Sequence, residues 1–260
     1  MLESFERALS IEDFPEITFI LGAVILAVFL FTSSDVSYYE KLLGFIPARP
    51  QIYSFITYTF VHANFTHMFF NLLFLIIAGI AVEEFLGPWV YLSIYFSSGF
   101  IAIMFDIFGR FISAFFSLMN NSCAGPFLRC VNFGGPFVGA SGAIFGVMAV
   151  ASLTKPMEKV PTILVVLAFL PLAQIYLQFQ AHFDYFTSLF ISSFVLIVAL
   201  SIFFISPTTV PILVAMICFL FSWIFIILLN SSGDVSNFGH LGGVLGGLLS
   251  YFVFSKTKRT

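Results

Sequence analysis

Charge is what this chain has least of. Asp, Glu, Lys and Arg make up 9% of its 260 residues, with a net charge of -3. Scarcity on that scale excludes an ordinary water-soluble domain of this size, and without a basic field no nucleic-acid partner is expected. Cysteine is almost missing: there are three. None stands in a CxxC pair, which leaves little room for a redox motif or a zinc site. Cys218 sits in an apolar run and reads as packing. Cys123 and Cys130 share one loop and are paired or free according to the compartment that loop faces. Mid-span carboxylates are few, Asp106 being the only candidate, and no clear repeat is visible, whereas a transporter would carry repeat symmetry and acidic ion ligands. The first residues lack a positive n-region, since Glu3, Glu6, Glu12 and Asp13 outweigh Arg7. They read as a cytoplasmic segment rather than a signal peptide.

What is abundant is apolar. The chain is 60% hydrophobic and holds 38 Phe, and apolar runs approaching 20 residues are transmembrane candidates. Eight segments read this way, near 17–32, 66–85, 89–114, 141–154, 160–180, 185–205, 209–229 and 236–254. The expected fold is all-α, a polytopic transmembrane helical bundle. It forms a single domain over 1–260, with 1–16 as a cytoplasmic N-terminal segment and 255–260 as a basic cytoplasmic tail. The tail Lys256-Thr257-Lys258-Arg259, with Arg7, Lys155 and Lys159, puts both termini in the cytoplasm. The reading is therefore a multi-pass integral protein of the cell membrane. The fourth segment, from Ser141 to Lys155-Pro156, is too short to span a bilayer at 1.5 Å per residue. Ser141 is accordingly expected below the membrane surface, after a glycine-rich loop that is non-helical at depth.

Polar groups inside such segments are costly and mark function. Ser141 opens one apolar helix and His240 lies near the start of the last. Gly142 and Gly146 follow the serine, and Gly243 and Gly247 follow the histidine. These small-residue stripes let two helices approach backbone to backbone, close enough for a hydroxyl and an imidazole to meet as nucleophile and base. A plain packing stripe with an incidental Ser and His is the other reading. His67 and Asn71, four apart, share one helical face. They are donors for a developing oxyanion or interhelical hydrogen-bonders. His62, about 140° from His67 on a helical wheel, is expected to point away from it and to order the loop. A metal site on that pair lacks a carboxylate at ligand spacing. Of Glu83 and Glu84, one reads as a solvated helix end and the other as a tie between loops. No Asp accompanies His240 in its span, so a dyad is expected rather than a triad. Packing would orient the imidazole, with Phe145, one turn past Ser141, as the candidate.

His62-x4-His67-x3-Asn71, Gly139-Ala140-Ser141-Gly142 and His240-x2-Gly243-x3-Gly247, in that order, resemble the rhomboid family of intramembrane serine proteases. The resemblance implies a six-helix core. Because 99 positions separate Ser141 from His240, it also implies an extra helical hairpin, about eight spans in all. It makes Ser141 the nucleophile and His240 the general base and acid. His67, Asn71 and the Ser141 N–H become the oxyanion hole, and Glu83 a brace of the core. His62, Gly139, Gly142, Gly146, Gly243 and Gly247 are then structural. No metal or cofactor is implied. The implied partners are single-pass transmembrane protein substrates and membrane lipids. The chain departs from many members at Tyr53-Ser54, where they carry Trp-Arg, and at Phe145, where they carry Tyr. A non-proteolytic rhomboid-like protein that escorts transmembrane helices is the alternative, although such relatives usually lack the serine or the histidine.

Overall fold

A computed structural model of the chain describes residues 15–119, 121, 123, 126–157, 159–162, 209–215, 217 and 236–254. Two compact units emerge, one from residues 2–154 with 232–260 and the other from residues 155–231.

The larger unit is helical. Helix α1 (Glu16–Thr32) leads to a long loop that holds α2 (Val36–Leu43), α3 (Ser54–Thr57) and a 3-10 turn (Tyr58–Phe60). Helices α4 (Phe65–Leu86) and α5 (Pro88–Met119) follow, then the short α6 (Phe127–Cys130), α7 (Ser141–Thr154) and α8 (Ser236–Phe254). Local chemistry sets the ends. Asp35 accepts from the Tyr38 N–H at 3.1 Å to cap α2, and Asn64 accepts from the His67 N–H at 2.8 Å to cap α4. Gly87, at φ 84°, closes α4 ahead of Pro88.

Among the described residues, α4 and α5 carry apolar stretches long enough to cross a bilayer, while α1, α7 and α8 are shorter apolar helices. At 1.5 Å per residue α5 is about 48 Å long, so it outruns a hydrocarbon core of about 30 Å and extends past the 89–114 expected for it. The 14 residues of α7 reach only about 21 Å.

Glu83 occupies a place that composition alone could not assign. Its carboxylate accepts from the Ile17 and Thr18 N–H groups, each at 2.8 Å, and from the Thr18 hydroxyl at 2.7 Å. Helix α1 has no side-chain cap of its own. Its orphan first-turn donors are thus satisfied from α4, by an anion at the positive end of the helix dipole. Glu84 is exposed.

The long first loop packs inward. Phe45, Tyr58, Ala102, Ile103 and Phe137 form a buried cluster, flanked by Phe55 and Ile107. Phe45 and Phe137 exchange both backbone hydrogen bonds, at 3.0 and 2.8 Å. The loop is thereby stitched to the segment that precedes α7. In that segment Cys123 and Cys130 are joined as a disulfide.

In the smaller unit, β1 (Lys159–Pro161) pairs antiparallel with β2 (Thr209–Pro211), Val160 opposite Val210. Helical segments were expected to begin at 160 and 209. Instead β-branched Val160, Thr209 and Val210 beside Pro161 and Pro211 favour extended backbone at both places. Residues 212–215 and 217 are helical, while 163–180, 216 and 218–229, and all of 185–205, lie outside the described residues.

Candidate active site

Ser141 is the first residue of α7. The turn that delivers it requires a glycine. Gly139 has φ +109°, a region that side chains avoid. A Cβ there would lie 2.6 Å from His67 Cε1, so the His67 ring closes directly over the glycine. The Gly139 N–H donates to the Tyr58 carbonyl at 2.9 Å. The Ala140 N–H donates to His62 Nε2 at 3.4 Å. His62 Nδ1 faces the Phe60 carbonyl at 3.2 Å. Because a carbonyl only accepts, Nδ1 carries the ring proton, and Nε2 is left as the acceptor that Ala140 uses. His62 is wholly buried. Burial, with the neighbouring His67 adding to it, holds its pKa down at about 3 against the opposing pull of the Phe60 carbonyl.

His62 and His67 do not diverge as a helical wheel predicts. Their rings meet edge to face with centroids 5.0 Å apart. The reason is that α4 begins only at Phe65, so His62 lies on the loop and helical geometry does not apply to it.

His240 stands one turn into α8, which packs on α7. The helices approach as closely as backbones can. A Cβ at Gly243 would fall on the Gly142 carbonyl, and one at Gly247 on the Gly146 carbonyl. Behind α7 lies α5, with Ala102 against Gly142 and Ser98 against Gly146. That closeness brings His240 Nε2 to 2.7 Å from Ser141 Oγ. The Phe145 ring stacks on the imidazole with centroids 4.5 Å apart and planes 20° from parallel. Ser141 keeps partial exposure while His240 is buried.

Asn71 is buried on α4, and its Nδ2 donates to the His67 carbonyl at 2.8 Å. An amide carries two N–H donors, so that bond commits one of them. The structure therefore gathers Ser141, His240, Phe145, His62, His67 and Gly139 around one turn. Asn71 follows His67 on the same face of α4, and Glu83 stands apart at the far end of that helix.

Two partners escaped the sequence. The Tyr58 carbonyl holds Gly139, and no side-chain pattern can announce a backbone acceptor. Asp106 and Arg110 are buried and paired at 2.7 Å on α5. The opposite charges four positions apart in an apolar run were a visible signal.

A family model described as "Rhomboid domain" matches residues 49–257. The protein "Rhomboid-like protein 11, chloroplastic" of Arabidopsis thaliana is 34% identical over 106 residues, which are 41% of this chain and 30% of that protein. The chain thus spans less than a third of that relative's length. No solved structure matches the chain.

Proposed function

The chain belongs to the rhomboid family, and on that premise we propose that it is an intramembrane serine endopeptidase working through a Ser141–His240 dyad. What carries the reading is the 2.7 Å contact between Ser141 Oγ and His240 Nε2, within the range an activated nucleophile requires.

In this reading His240 holds its ring proton on Nδ1 and its lone pair on Nε2. It accepts the Ser141 hydroxyl proton as Oγ attacks a peptide carbonyl of a membrane-anchored substrate. Negative charge develops on the carbonyl oxygen. The Ser141 N–H meets it at the N-terminus of α7, where backbone donors lack intrahelical acceptors and the dipole favours an anion. His67 and the second Asn71 N–H complete the hole. Each such donor is worth roughly 3–4 kcal/mol in acyl transfer. His240 then gives its proton to the leaving amine, and water, deprotonated by the same nitrogen, releases the acyl-enzyme. Phe145 fixes the plane of the ring, a task that falls to a carboxylate in a triad.

The substrate is a single-pass transmembrane protein whose helix unwinds locally, because helical carbonyls are internally bonded. Both termini face the cytoplasm, which puts Ser141, His67 and His240 in the outer half of the membrane. The test is cleavage of a model transmembrane substrate by the purified chain beside Ser141→Ala and His240→Ala. Loss of cleavage in both variants is expected. Cleavage that persists in either, or no cleavage by the unaltered chain, sinks the reading, the second result favouring a helix-binding relative without catalysis.

A further inference from the structure

We infer that Arg110 is a positioning residue: held by Asp106, it pins the carbonyl of Asn132 and thereby sets the segment that presents the Ser141 N–H to the oxyanion. The inference deepens the protease reading and rests on it.

Asp106 and Arg110 are almost wholly buried on α5, Nε to Oδ2 at 2.7 Å. A buried ion pair is weak evidence for stability, since apolar residues of similar volume often do as well or better. At membrane depth charges are costlier still. The pair therefore needs an account other than holding the fold together. Its geometry supplies one. Arg110 Nη1 donates to the Asn132 carbonyl at 2.5 Å. The Asn132 side chain in turn accepts from the Gly135 N–H at 3.1 Å. A Cβ at Gly135 would sit 3.3 Å from Nη1, so the turn wraps tightly around the guanidinium.

From Asn132 to Ala140 the other long-range hydrogen bonds that leave the segment run to the first long loop. The Ala48 N–H donates to the Phe133 carbonyl at 3.0 Å, Phe137 pairs with Phe45, and the Gly139 N–H donates to the Tyr58 carbonyl. The Ala140 N–H meets His62. Among the described residues, Arg110 makes the one hydrogen bond from this segment to a bilayer-length helix. That helix is also the common wall for the dyad. Ala102 faces Gly142 of the serine helix, and Ser98 and Ile101 face Gly246 of the histidine helix. Pinning the segment to α5 places the Ser141 N–H in the same frame as the nucleophile and base. The planar fork of arginine can engage the carboxylate and the carbonyl at once, which the single ammonium of lysine does poorly.

The test uses the full chain in bicelles, with Arg110→Lys and the double variant Asp106→Leu/Arg110→Met. Four quantities are read: melting temperature, kcat and KM on a transmembrane substrate, the rate of Ser141 capture by a fluorophosphonate, and amide hydrogen exchange over residues 133–140. The exchange is also measured on a Ser141→Ala background. The double variant should melt at or near the temperature of the unaltered chain. Its exchange over 133–140 should rise roughly tenfold. Its kcat should fall about 10- to 100-fold, the scale of small misplacements in a site, with KM within twofold. Arg110→Lys should fall between, and it answers the question on its own if the double variant does not fold. Unchanged exchange and kcat would overturn the inference. An unaltered chain that neither cleaves nor captures the probe, while exchange still rises in the variants, would end the protease reading and leave the pin standing.

Discussion

The bond between Ser141 and His240 depends on a glycine three residues past the histidine, and replacing it tests the whole arrangement. A Cβ built on Gly243 falls on the Gly142 carbonyl oxygen and lies 2.8 Å from its carbon. Carbon atoms in contact sit at about 3.5 Å or more, so Gly243→Ala forces α8 back by at least about 0.7 Å, the oxygen contact demanding more. Position 243 lies one turn from His240 on the same helix, so the imidazole moves with it. A bond of 2.7 Å then stretches toward about 3.4 Å, past the roughly 3.2 Å limit for activating a nucleophile. Overpacking of this kind costs about 1–3 kcal/mol of stability, and a misplacement approaching 1 Å costs up to about 100-fold in rate. The assay is the second-order rate of Ser141 capture by a fluorophosphonate, measured on protein that still melts cooperatively. Gly22→Ala is the control, because a Cβ there meets only Leu72 at 3.7 Å, an ordinary contact. Wild-type capture by a folded Gly243→Ala chain would refute the claim that backbone contact sets the dyad distance.

Gly139→Ala should slow capture at least tenfold and lower the melting temperature, since a methyl group would meet His67 at 2.6 Å on a residue at φ +109°; a fully active variant would show that the His67 position is immaterial. Glu83→Gln should cost about 2 kcal/mol by leaving a first-turn donor of α1 unsatisfied, read as a drop in melting temperature with the capture rate per folded molecule largely kept. His62 gives a pH dependence. Its folded pKa of about 3 lies below its ordinary 6.5, so between those values the unfolded chain binds the extra proton, and stability falls as pH drops through that window. Melting curves from pH 7.5 to 4.5 should show the decline, with a shallower slope in His62→Asn; equal slopes would remove His62 as the cause.

How much of this was legible follows from what each interaction is made of. Where the site departs from apolarity it could be read directly: a serine, two histidines and an asparagine stand out in oily helices because burying them is expensive, and glycines at four-residue spacing mark where helices touch. Those signals carry their own spatial meaning, so a separation of 99 positions did not hide the encounter of Ser141 with His240. The apolar runs that located α1, α4 and α7 misled at residues 160 and 209, where β-branched residues beside prolines fold as a strand pair. Helical periodicity failed at His62, because a wheel drawn through a loop describes nothing. The ties that shape the turn before Ser141 are harder to read for a deeper reason: their acceptors are the carbonyls of Tyr58 and Asn132, and every residue has a carbonyl. Arg110 stands between the two cases. Its pairing with Asp106 was written in the chain as opposite charges four apart, while its second partner, the Asn132 carbonyl, lies 22 positions further on and has no chemical mark. A buried arginine with one visible partner and four or more donors is itself a signal, because the donors its carboxylate cannot take must be satisfied by backbone. In helical membrane proteins of this kind, counting the donors on each buried cation tells that backbone acceptors must meet it, and only the fold tells which ones.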